Sequence, residues 1–183
     1  FSWRGVRAHG PGSATLRIVS GNGNYSGVIS GTGGIWRTDG GNQTFNGCNN
    51  TYTGVTNLQG ATLTTDCLAN GGQASGIGAS TSASTNLVFN SGNLNYTGAS
   101  VSIDRGFQLN SGYGVINVTN AATTLGFSGP VVGGAEIYKD GPGTMVLSGN
   151  NTYTHNTHVR GGILRAGSAT AVDPTAGPVV AVA

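Results

Sequence analysis

The chain is poor in charge, in helix formers and in sulfur. Eight basic and six acidic residues stand among 183, leaving a net charge of +2. Lys139, Glu136 and Met145 are each the single residue of their type. So few long unbranched side chains exclude a helical protein. High net charge, the usual companion of disorder, is missing as well. No Gly-X-Y period supports a collagen, and no apolar run of about 18 residues supports a membrane helix. The basic residues are scattered from Arg4 to Arg165, with no cluster longer than Arg4-Gly5-Val6-Arg7. Nucleic acid is therefore not an expected partner, because its binders gather Lys and Arg on one face with aromatics between them. A CxxC pair is absent, which argues against a zinc site or a thioredoxin-like motif. The two cysteines, Cys48 and Cys67, are compatible with one disulfide worth roughly 3 kcal/mol or with two buried thiols. His155 and His158 lie three apart, so on a strand they face opposite sides and do not chelate one ion. The Gly-Gly-x-Gly-x-Asp nonapeptide of calcium-binding β-rolls is also missing. No cofactor and no metal are expected.

What is present is glycine, asparagine, threonine and serine, which together make up half of the chain. Short strand signals are set among them. Residues 14–19, 86–89, 100–103, 114–118 and 144–147 alternate apolar with polar or small side chains, and each run is closed by a turn former. Strands of three to six residues with no helix between them fit a parallel β-helix, in which coil stacks on coil over one continuous core. At roughly 20–25 residues per coil, near the low end for solenoid repeats, the chain is expected to make about eight coils. A right-handed winding is the expectation. Asparagine is expected at the turns, where it tolerates left-handed backbone and its amides can form ladders.

The chain also matches itself at an offset of 101 residues. Asp39-Gly40 falls on Asp140-Gly141, and Asn49-Asn50-Thr51-Tyr52-Thr53 falls on Asn150-Asn151-Thr152-Tyr153-Thr154. Thr56, Gly60 and Leu63 fall on Thr157, Gly161 and Leu164. Residues 1–183 thus read as one β-helical segment of two imperfect units, about 24–125 and 126–183, the second incomplete. Each unit is too long for a single rung and must contain several.

Lys139-Asp140-Gly141-Pro142-Gly143-Thr144-Met145-Val146-Leu147-Ser148-Gly149-Asn150-Asn151-Thr152-Tyr153-Thr154, followed by Val159-Arg160-Gly161-Gly162-Ile163-Leu164, resembles the passenger-associated repeat of Gram-negative autotransporters. The likeness extends over roughly residues 24–168. His155-Asn156 replace the usual Gly-Gly of the motif. In the first copy Thr38, Gly41-Asn42 and Phe45-Asn46-Gly47 depart from it. The resemblance implies a secreted or surface-displayed stalk that crosses the outer membrane through a C-terminal β-barrel of the same precursor. A start at Phe1 with no initiator Met is in keeping with a piece of a longer or processed chain.

Catalytic signals are weak. The acids are Asp39, Asp66, Asp104, Glu136, Asp140 and Asp173. Asp39 and Asp140 precede glycine and read as turn residues, and Asp104-Arg105 reads as a surface pair. No catalytic or metal residues are assigned. The expected function is non-enzymatic: an adhesin-like stalk that meets a host or neighbouring-cell surface ligand or a second copy of itself. An end-to-end filament subunit is the alternative, and a β-helical polysaccharide-degrading enzyme is less favoured.

Overall fold

A four-residue strand closed by glycine on both sides cannot bury its apolar face alone, so the chain stacks such strands in parallel. The computed structural model describes residues 14–172 and 179–181. In chain order the strands are β1 (Leu16–Val19), β2 (Gly23–Tyr25), β3 (Ile35–Thr38), β4 (Asn42–Phe45), β5 (Thr56–Gln59), β6 (Thr62–Thr65), β7 (Leu87–Tyr96) and β8 (Val101–Ile103). They continue with β9 (Phe107–Val118), β10 (Thr124–Phe127), β11 (Val131–Gly133), β12 (Glu136–Asp140), β13 (Thr144–Leu147), β14 (Thr157–Val159), β15 (Ile163–Ala166) and β16 (Val179–Ala181). Every pairing between them is parallel. The only helical piece among the described residues is a 3-10 turn at Ser84–Asn86. The result is a β-solenoid of about seven turns.

Three columns of strands form its faces. Column one runs β1, β3, β5, the first half of β7, the first half of β9, then β11. Column two runs β2, β4, β6, the second halves of β7 and β9, then β12, β14 and β16. Column three runs β8, β10, β13 and β15. Inside, Leu58, Leu94, Leu109, Ile116, Leu125, Ile137 and Leu147 are fully buried. Phe89, Phe107 and Phe127 form an edge-to-face stack through three successive coils, with centroids 5.5 and 5.1 Å apart.

Three features differ from the sequence expectation. First, β7 and β9 are longer than six residues because the chain turns the corner between columns one and two without leaving the sheet. Bulges mark that corner between Phe89 and Gly92, where Ser91 adopts φ 55°. A Cβ on Gly92 would lie 2.3 Å from the Leu58 carbonyl oxygen, so only glycine fits the corner. Second, asparagine does not supply the left-handed turns. The left-handed non-glycine residues among those described are Ser20, Asp39 and Ser91. Asparagines instead line the outer strand faces in amide ladders. Third, there are about seven turns rather than eight because one coil is oversized. Thr56 pairs with Leu87, 31 residues on, whereas Ile35 pairs with Thr56, 21 residues on. The extra length forms an excursion within residues 66–86. Cys48 and Cys67 are joined as a disulfide, Cα atoms 5.4 Å apart, tying the start of that excursion to the coil below.

Candidate functional site

The two motif copies share one local construction. Tyr52 and Tyr153 are buried, and their hydroxyls meet Thr56 Oγ1 at 2.7 Å and Thr157 Oγ1 at 2.8 Å. Asn50 Oδ1 accepts the Ile29 N–H at 2.9 Å, and Asn151 Oδ1 accepts the Val131 N–H at 2.7 Å. The Thr51 N–H donates to the Ile29 carbonyl and the Thr152 N–H to the Val131 carbonyl. Each Asn-Thr-Tyr-Thr run therefore fastens an irregular stretch to the preceding coil, satisfying backbone groups that no strand pairs. Asn49 and Thr51 in the first copy, and Asn150 and Thr152 in the second, are exposed between these anchors.

The copies face different ways. β3 and β5 of the first copy lie in column one, whereas their counterparts β12 and β14 lie in column two. The 101-residue offset is thus four coils plus one face. The motif encodes how one coil closes on the next and leaves the outward direction open.

Each copy also buries a cation. Lys139 is 0% exposed, and its ammonium donates to the carbonyls of Asp140, Gly141 and Gly161 at 2.7, 2.9 and 3.0 Å. Gly141 follows at φ 75°, and a Cβ there would lie 2.2 Å from Asn117 Oδ1. The first-copy counterpart is Arg37, not Thr38. The Arg37 guanidinium donates to the carbonyls of Ile18, Thr38 and Gly21. One extra residue, absorbed by left-handed Asp39 at φ 61°, shifts the cation by one position. The departure at Thr38 is therefore a change of register and not a lost interaction. A third cation, Arg105, is 2% exposed and is not a surface pair with Asp104. It donates to the carbonyls of Ala69, Asn70, Gln73 and Gly78 and to Ser80 Oγ, pinning the 66–86 excursion from the next coil. Burial lowers the Arg105 pKa, partly offset by Tyr52 and Asp104, and it pushes the Tyr52 phenol up. Asp104 instead accepts the Gly71 N–H at 2.7 Å.

Outside, column two presents an amide and hydroxyl row. Thr64 Oγ1 donates to Asn42 Oδ1, Asn95 Nδ2 to Thr64 Oγ1, and Asn117 Nδ2 to Asn95 Oδ1, at 2.8, 3.3 and 3.1 Å. Column one carries a second row, Asn57–Asn90–Asn110, bonded at 2.8 and 2.7 Å. Two aromatic patches break this polar surface. In one, the Arg17 guanidinium sits 5.5 Å over the Trp36 ring and reaches Asp39 at 3.3 Å. In the other, Tyr138 is stacked on His158 at 4.4 Å, with Arg160 also 4.4 Å from its ring and Tyr113 edge-on at 5.7 Å.

Residues 37–64 and 137–166 match the passenger-associated-transport-repeat family model. Over 145 residues the chain is 54% identical to the adhesin BmaC autotransporter of Brucella suis biovar 1 (strain 1330), covering 79% of this chain. This chain is an autotransporter passenger segment. It spans about 4% of the length of that relative. No solved structure matches it.

In the passenger segment Asn50, Tyr52, Asn151 and Tyr153, singled out from sequence, come together as coil fasteners. Asp140 is bonded at both oxygens by Arg160, at 2.7 Å each. His155 lies at an exposed bend beside Thr154. Among the described residues no group of three or more His, Cys, Asp or Glu could hold a metal ion. The buried cations were not foreseen, because backbone carbonyls leave no acidic partner in the sequence to point to them.

Lys139 makes the stability of the passenger segment rise on the alkaline side of neutral. Burial lowers its pKa to about 8 from 10.5, with Asp140 opposing. Below about pH 8 both folded and unfolded chains hold the proton, and the folded state bears the full cost of the buried charge. Between about 8 and about 10.5 the folded state releases a proton that the unfolded chain keeps, so stability rises with pH across that window. The expected result is that the unfolding midpoint of the native chain gains on that of Lys139→Met as pH climbs from 7 to about 9.5. Parallel pH profiles for the two proteins would contradict this.

Proposed function

We propose that the segment is part of a non-enzymatic, adhesin-like stalk displayed on the bacterial surface, acting through its outer faces in adhesion or self-association. The precursor's own outer-membrane barrel is its secretion partner. The observation that carries this reading is the division of labour within the motif. Its apolar, amide and cationic groups are spent on coil closure, while the strands between turn rows of Asn, Thr and paired charges outward. Such a scaffold holds a long surface rigid while side chains on that surface vary freely. Support also comes from the named relative, which is an adhesin autotransporter.

The test is to coat inert beads with the 183-residue chain and count attachment to cultured host cells and to chain-coated beads. Attachment above albumin-coated beads to either surface is expected. Failure on both surfaces, with regular fibres in electron micrographs of the dilute chain, would favour the filament reading instead.

A further inference from the structure

The larger aromatic patch has the composition of a ligand site. Tyr113, in β9 of the column-two face, is 39% exposed. Register sets Glu136 directly opposite Tyr113, and Asp140 opposite Asn117. The Tyr138 hydroxyl donates to Glu136 Oε2 at 2.5 Å, and His158 Nε2 stands 3.6 Å from Glu136 Oε1. That hydrogen bond holds Glu136 below the usual carboxylate range, helped by His158, so the acid is a charged acceptor at neutral pH. Both carboxylates keep open lone pairs, since each oxygen can accept more than one donor. Asp140 matches the Arg160 charge two-pronged, so the patch offers no unpaired guanidinium to an anionic group.

We infer that this patch binds a neutral, extended polysaccharide, with the Tyr113 ring as a stacking platform and Glu136 and Asp140 as acceptors for sugar hydroxyls. Aromatic faces favour the C–H surface of a sugar ring, and ionised carboxylates accept its hydroxyls strongly. The row Asp140, Asn117, Asn95, Thr64, Thr44 continues the site down column two, one polar side chain per rung. Rungs about 4.8 Å apart are close in spacing to the sugar units of an extended chain. An uncharged glycan laid along the axis would therefore meet a donor or acceptor at each unit. Trp36, 37% exposed beside Arg17, Asp39 and Gln59, repeats the aromatic–acid–arginine grouping on column one. This inference rests on the adhesive reading above and names its ligand class.

The test is affinity electrophoresis of the 183-residue chain through gels containing galactomannan, hydroxyethyl cellulose or heparin. Retardation by at least one neutral polymer and none by heparin is expected. Tyr113→Ala and Glu136→Gln should each weaken that retardation about tenfold, with unchanged far-ultraviolet circular dichroism. Three results would overturn the proposal: no retardation by either neutral polymer, retardation that both variants retain, or shortening of the polymer, which would mean catalysis. Bead attachment measured on the same preparations separates the two readings. Attachment without glycan retardation overturns the glycan site alone, whereas loss of attachment to every surface overturns the adhesive role.

Discussion

Replacing Arg105 with Met is expected to cost about 3–5 kcal/mol and to release the 66–86 excursion. The side chain supplies donors to four carbonyls and one hydroxyl within a region that is almost fully buried. Methionine fills similar space but leaves those acceptors without partners, and each unsatisfied buried acceptor is costly. Arg105→Lys should rescue only partly, because a point-like ammonium reaches fewer of the five acceptors than a planar fork does. Hydrogen exchange resolves the effect. Amides within 66–86 should lose protection in Arg105→Met, while those of β12 to β15 should not. Unchanged protection of the excursion would show that the Cys48–Cys67 bridge alone holds it.

Phe107→Ala should be about as damaging, at roughly 3–5 kcal/mol, through a cavity and not through lost hydrogen bonds. Phe107 is fully buried and is the middle ring of the Phe89–Phe107–Phe127 stack, so truncation strands a ring on either side. A solenoid's stability is a sum of coil and neighbour terms. A weak coil in the middle therefore divides the molecule. Denaturant unfolding of the variant should show two transitions, one for the coils below β9 and one for those above. A single transition shifted as a whole would mean that the coils remain one cooperative unit.

The architecture was legible because its signals are local. Residues 114–118 and 144–147 alternate along a strand and fall within β9 and β13, and all of 86–89 but its first residue falls within β7. The family was legible from Lys139 to Tyr153, where cation, turn glycines and the Asn–Tyr pair all serve one coil closure. Arg37 and Arg105 were not legible as buried residues. Their acceptors are chiefly main-chain carbonyls, identical for every amino acid, and in Arg105 these come from 27 to 36 positions away. The gapless offset also hid Arg37 behind Thr38, because a left-handed Asp39 had absorbed one residue. Asparagine misled for a related reason. Its amide bonds as well to a neighbour one rung away as to its own backbone, and on strands such as β7 and β9 the neighbour wins. The Tyr113–Tyr138–His158 patch is assembled from three coils, so no sequence window contains it.

The Cys48–Cys67 bridge has a mechanical meaning besides its effect on stability. Pulled along its axis, a solenoid loads the hydrogen bonds between rungs end-on, and it gives way by peeling one coil at a time. A freed coil of about 20 residues pays out roughly 70 Å of chain, lengthening the tether and relaxing the force on whatever holds its far end. The bridge spans 19 residues, so the coil it closes cannot pay out while the bond lasts. The segment is thus a damper with one locked stage. Under steady tension it should lengthen in steps, and a reductant should add one further step to the trace.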